Sequence, residues 1–127
     1  MTRFLLICFA GALGTGTRYL VSLGASRAFG AAFPYGTLIV NLVGCFLIAA
    51  VVRVAVTTAY ISETLRFTLT VGFMGGLTTY SSFNFETTKL LEDKEYGAAA
   101  INFGATVAGC FAAGLLGLYA AKKLFPG

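Results

Sequence analysis

Three stretches of this chain carry no charged side chain: Ala28 to Val52, Phe67 to Phe85 and Tyr96 to Ala121. Each reaches or exceeds the roughly 18–20 apolar residues that a helix needs to cross about 30 Å of hydrocarbon. A fourth stretch, Phe4 to Ser26, is interrupted only by Arg18. Its Met-Thr-Arg start also looks like that of a signal peptide, but the apolar run continues past Arg18 and three further spans follow. In lipid every backbone polar group needs an internal partner, and these lengths suit helices better than barrel strands. The expectation is an all-α membrane protein with four transmembrane helices, at approximately 4–26, 34–54, 66–90 and 97–121, in a single membrane-embedded domain over residues 1–127.

Composition agrees. The chain is 57% hydrophobic and 11% charged, against about 45–50% and about 25% for soluble domains. It would have too little polar surface to cover itself in water, which excludes an ordinary cytosolic enzyme. With no His and no Trp, imidazole bases and His-ligated metals are excluded too. The net charge of +4 comes from scattered basic residues without aromatic interleaving. That pattern favours a lipid bilayer over nucleic acid as the partner.

With four spans both termini share a side. Arg3, Arg53, Arg66, Lys122 and Lys123 fall there, and Arg18, Arg27, Lys89 and Lys94 opposite. Five against four gives the positive-inside rule almost no purchase. Dual insertion and an antiparallel homodimer are the expected result; a single-topology bundle oriented by other features is the alternative. Ala105, Gly109, Ala113 and Gly117 recur every four residues in the last helix, and Gly72 and Gly76 form a GxxxG in the third. Such ladders serve packing within a subunit as readily as between subunits. Cys8, Cys45 and Cys110 lie in three different spans without CxxC spacing, and read as buried inert thiols.

Polar groups within the spans are costly and ask for a partner or a function. Helix two carries Thr37 and Asn41 one turn apart, with Gly44 continuing that face, and helix four repeats the idea with Asn102 and Thr106. Interhelical hydrogen bonding and a pore lining both account for these. Helix three contains Gly75-Gly76-Leu77-Thr78-Thr79-Tyr80-Ser81-Ser82 near its middle. Two glycines and four Ser/Thr side chains oppose a continuous helix, so a break is expected there. Unwound backbone at membrane depth must be buried in protein or line a cavity, and its freed carbonyls suit a hard cation. Tyr80 and Phe83, three apart, share a face if the helix resumes, while Phe85 points elsewhere. Their ring edges are positive and can approach an anion, although on spacing alone packing is the better account of such rings.

The segments Gly36-Thr37-Leu38-Ile39-Val40-Asn41-Leu42-Val43-Gly44 and Gly72-Phe73-Met74-Gly75-Gly76-Leu77-Thr78-Thr79-Tyr80-Ser81-Ser82-Phe83 resemble the two signature stretches of the Fluc (CrcB) fluoride channels. Gly14-Thr15-Gly16-Thr17-Arg18-Tyr19 is similar to that family's Gly-rich first helix. The resemblance implies a dual-topology antiparallel dimer in the bacterial inner membrane, with two fluoride pores that export cytoplasmic fluoride and reduce its toxicity. It also implies a structural sodium ion, Na+, held at the dimer centre by main-chain carbonyls of Gly75 and Thr78 from both subunits. Asn41 and Phe83 match pore-facing positions, and Thr37, Ser81, Asn102 and Thr106 match small polar residues of the fluoride path. Cys110 is a weaker match one step further along, and Arg18 corresponds to a vestibule cation. Tyr80 departs from the pattern: the family has a phenylalanine there, so this chain is a variant where fluoride throughput is concerned.

The chemistry suits the assignment. Fluoride is strongly hydrated, and a pore must replace its water with amide, hydroxyl and ring-edge donors. No nucleotide loop and no centrally placed acid suggests coupling to an energy source, so a passive channel rather than an enzyme is expected. The competing class is a small four-helix multidrug antiporter, which depends on an intramembrane carboxylate; the first span here holds Arg18 and no acid.

Overall fold

The computed structural model describes residues 1–126. Their regular elements are all helical: α1 (Thr2–Phe29), α2 (Tyr35–Thr57), α3 (Glu63–Phe67), a π-helical segment (Thr68–Met74), α4 (Gly75–Leu77), α5 (Tyr80–Glu92) and α6 (Tyr96–Leu124). Helices α1, α2 and α6 are each long and apolar enough to cross a membrane. With 28, 23 and 29 residues they extend about 42, 35 and 44 Å. The pieces from α3 to α5 form one further, bent span. Large apolar side chains such as Phe9, Leu13 and Leu20 on α1 and Phe111, Leu116 and Tyr119 on α6 point outward, as on a surface solvated by lipid.

The ends of the bundle follow from local chemistry. The third span starts at Glu63, ahead of the expected residue 66, because the Ser62 hydroxyl accepts the Leu65 N–H at 3.2 Å and caps the helix. Arg3 pairs with Glu63 at 3.0 Å and lies over the Phe67 ring. Tyr60 meets Phe125 edge-on, with ring centroids 6.1 Å apart. Both chain ends and the connection after α2 therefore share one end of the bundle, as an even number of spans requires. Phe29, Phe33 and Tyr35 cluster around Pro34 at the other end.

Packing is divided at the break. Helix α2 lies along α6, the π-helical segment and α4 lie against α1, and α5 lies against α6. The third span thus changes neighbours halfway along its length.

The cause of the break agrees with the hydroxyl half of the sequence expectation and differs from the glycine half. Gly75 and Gly76 are both helical, and the chain leaves the helix at Thr78 (φ −85°, ψ 154°) and Thr79 (φ −154°, ψ 117°). The glycines instead permit close approach: a Cβ on Gly76 would collide with the Gly11 carbonyl, and one on Gly14 with the Phe73 carbonyl. The GxxxG of the third span is therefore taken up inside the subunit. Gly117 similarly brings α6 onto the backbone of Phe46 in α2. The π-helical turn before the break has no counterpart in the sequence reading. Within it the Thr68 and Thr70 hydroxyls donate to the Thr64 and Arg66 carbonyls, each at 2.8 Å, a competition that loosens the main-chain ladder.

Candidate functional site

Asn41 builds the site. Thr37, Asn41 and Gly44 form one buried line on α2, and the amide of Asn41 grips the break from both sides. Its Nδ2 donates to the Thr79 carbonyl at 3.1 Å, and its Oδ1 accepts the Thr79 N–H at 2.8 Å. That N–H is the one an unbroken helix would direct to the Gly75 carbonyl. Arg18 secures the next carbonyl, with Nε donating to Gly76 O at 3.1 Å. Thr79 then restarts the helix: its hydroxyl accepts the Ser82 N–H at 3.1 Å as the cap of α5. The methyl of Thr78 fills the place where Gly44 has no side chain.

Beside this clasp lies a cavity of about 290 Å³ whose walls include Asn41, Cys45, Thr79, Tyr80, Phe83, Thr106 and Cys110. Asn41 has a second amide N–H beyond the one given to Thr79. The Thr106 hydroxyl is buried with no partner among the described residues. Phe83 is 3% exposed and stands between two rings, Tyr80 at 5.5 Å and 66° and Phe103 at 6.1 Å.

A larger, open cavity of about 750 Å³ adjoins Thr37, with Ser22, Ser26, Glu86 and Lys89 on its walls. Thr37 donates its hydroxyl hydrogen to Glu86 Oε1 at 2.7 Å, and Glu86 Oε2 is buried with no partner among the described residues. Asn102, 1% exposed, belongs to neither wall. Its Nδ2 donates to the Thr87 hydroxyl at 2.9 Å, which in turn donates to the Phe83 carbonyl at 2.7 Å. It fixes the helix that carries Phe83.

The residues expected to form a site are thus distributed. Asn41, Tyr80, Phe83 and Thr106 share the smaller cavity, and Cys110 joins them. Thr37 faces the larger one. Ser81 is exposed beside the break, with its hydroxyl 3.2 Å from that of Thr79. Gly75 and Thr78 flank the break, Gly75 on the outer surface of the subunit. Arg18 sits at the depth of the break, tied to Gly76. Removing it from the outer count changes the basic balance from five against four to five against three. From the sequence Glu86 reads only as an acid at the end of the third span, and Thr87 is not singled out, although a signal existed. They follow Phe83 by three and four residues and so share its face on α5.

Residues 5–118 match the family described as "CrcB-like protein, Camphor Resistance (CrcB)". The chain belongs to the CrcB family. Within that family it is similar to a protein of Sorangium cellulosum named "Fluoride-specific ion channel FluC", with 47% identity over 127 residues and complete coverage of both chains. A protein of the same name from Anaeromyxobacter dehalogenans is 51% identical over 113 residues, 89% of this chain and 90% of its own. One from Geobacter sulfurreducens is 46% identical over 124 residues, 98% of this chain and 100% of its own.

Proposed function

We propose that this CrcB-family protein is a passive, fluoride-selective channel, not an enzyme, and that it lets cytoplasmic fluoride leave across the bacterial inner membrane. The observation that carries the reading is the smaller cavity, whose wall brings together Asn41, which has a spare amide N–H, the unpartnered Thr106 hydroxyl and the rings of Phe83 and Tyr80. These groups can donate to an anion without placing a carboxylate beside it. Thr37 and Glu86 stand at the wider mouth, and Asn102 positions Phe83 from behind. The family relatives named for fluoride conduction support the choice of ion.

The functional unit in this reading is an antiparallel homodimer with two pores. Support comes from what a single subunit leaves uncovered: Tyr80, Ser81 and Gly75 are exposed beside unwound backbone at membrane depth, where contact with lipid is costly. A basic bias of five to three remains small enough for insertion both ways. Gly75 and Thr78 fit a shared sodium site, because Asn41 has taken the N–H that the Gly75 carbonyl would otherwise accept. Carbonyl oxygens suit such a hard cation, which would supply the positive charge that holds the two breaks together.

Glu86 is the feature that favours the antiporter alternative, since its carboxylate is half-buried in the larger cavity. It lies about two helical turns beyond the break, however, and is bonded to Thr37. Efflux from proteoliposomes, followed with a fluoride electrode, tests the proposal. Fluoride release that dissipates with its own gradient, without chloride release or obligatory proton exchange, is expected. Proton-coupled movement of an organic cation without fluoride release would replace it. Equal labelling of a single introduced cysteine at Thr2 from both membrane faces is expected for the dual-topology dimer, and labelling from one face alone would remove it.

A further inference from the structure

The smaller cavity has a second set of groups that the anion path does not use. Cys45 of α2 and Cys110 of α6 both stand on its wall, one from each helix of a closely packed pair. The two helices approach closely at this level, because Gly109 and Gly117 let α6 settle against Leu42 and Phe46 on either side of Cys45. Neither cysteine is in a disulfide, and the remaining one, Cys8, is exposed on α1. The unpartnered Thr106 hydroxyl, nine-tenths buried, is on the same wall.

We propose that Cys45 and Cys110 form a two-coordinate site for a soft divalent cation of the mercury(II) class. Ligand count and charge select this class. Among the described residues no group of three or more His, Cys, Asp or Glu side chains could hold a metal, so a tetrahedral zinc site lacks ligands and a hard divalent cation lacks carboxylates. A soft cation that accepts two sulfurs in line needs only the pair. On binding, two S–H bonds break, two sulfur–metal bonds form and two protons pass to water, with no change of oxidation state. The resulting bis-thiolate complex is neutral, as an intramembrane cavity requires. The bound ion lies beside Asn41 and Phe83 and closes the cavity to an anion; this block, unlike the site itself, rests on the fluoride-channel reading.

The test uses purified protein carrying Cys8→Ala, loaded with mercury(II) and then washed with a molar excess of a monothiol. Chelation by two preorganised thiols should retain one metal per subunit, about 100-fold more tightly than a lone thiol does. Adding Cys45→Ala or Cys110→Ala should abolish retention, with Cys45→Ser and Cys110→Ser as replacements if the alanine forms do not assemble. Two metals per subunit before the wash, or equal retention by a single-cysteine form, would overturn the chelate. In liposomes, mercury(II) should stop fluoride efflux through the Cys8→Ala protein and spare the form that also lacks Cys45. Retained metal with undiminished efflux would uphold the site and move the fluoride path out of this cavity. Absence of efflux before any metal is added would overturn the channel reading and leave the metal count to decide the site.

Discussion

The two halves of the third span have similar surroundings in depth and opposite construction. Before Thr78 the chain is held by backbone proximity: Gly72 and Gly76 lie on α1 where a side chain could not fit, and Arg18 reaches across to the Gly76 carbonyl. After Thr79 it is held by side-chain hydrogen bonds, from Asn102 to Thr87 and from Thr37 to Glu86. The first half is a scaffold that tolerates no added volume where Gly72 and Gly76 meet α1. The second presents donors and rings to cavities and depends on polarity more than on size. Steric exactness on one side leaves the other side free to carry chemistry.

Volume added before the break should have the largest effect. Gly76→Leu places a side chain against the Gly11 carbonyl and should destabilise the subunit by about 3 kcal/mol or more. Loss of the assembled species in gel filtration would register it, whereas Phe85→Leu on the exposed side of α5 should leave the profile unchanged. A well-assembled Gly76→Leu protein would erase the distinction between the halves.

Asn41 joins the two halves, so its replacement comes next. Asn41→Asp keeps an acceptor for the Thr79 N–H but loses the donor to the Thr79 carbonyl and puts a negative charge in the cavity. An unmet interaction of about 3 kcal/mol corresponds to a fall of about 100-fold in fluoride efflux. Undiminished flux through an assembled protein would take Asn41 off the path and leave it a clasp alone.

Thr37→Val preserves shape and removes the hydrogen bond to Glu86. A carboxylate without that donor should cost about 1–2 kcal/mol, read as roughly a tenfold reduction in efflux with assembly retained. Efflux equal to that of the parent would confine the Thr37–Glu86 pair to a structural part.

The smallest effect should come from Tyr80→Phe. Tyr80 is 77% exposed on the single subunit, and its hydroxyl has no hydrogen bond among the described residues. Stability should therefore change by less than about 0.5 kcal/mol. Removing a hydroxyl that can hold water on the path should raise fluoride efflux by about two- to fivefold, a change of under about 1 kcal/mol. Equal or lower efflux would mean that this ring does not limit conduction.

The spans were legible because missing charge is a property of each residue alone. Residues 67–85 announced a membrane segment without reference to any neighbour. The place of the break was legible as well, but its mechanism was not. Glycines and hydroxyls weaken any helix, so Gly75, Gly76 and the Ser/Thr run carry the explanation in sequence, whereas the interruption is held by Asn41, more than thirty residues earlier in the chain. Partnership at that distance leaves no periodic mark. The same holds for Arg18, whose bond to the Gly76 carbonyl leaves no sign in the residues around it. Thr87 and Glu86 were within reach, since the spacing from Phe83 placed them on its face.

The interrupted span also bears on how the protein is made. Helices α1, α2 and α6 each qualify for the bilayer by their own apolarity, but residues 63–92 contain nine Ser and Thr and a break. That segment is a dependent passenger at the translocon: α1 offers it a glycine-lined berth and α2 offers Asn41, both already synthesised when it emerges. Its second half must then wait, because Asn102 and Thr106 lie on α6 and leave the ribosome last. Until the final helix arrives the cavity has one wall missing, so the site takes shape only as the last span is made.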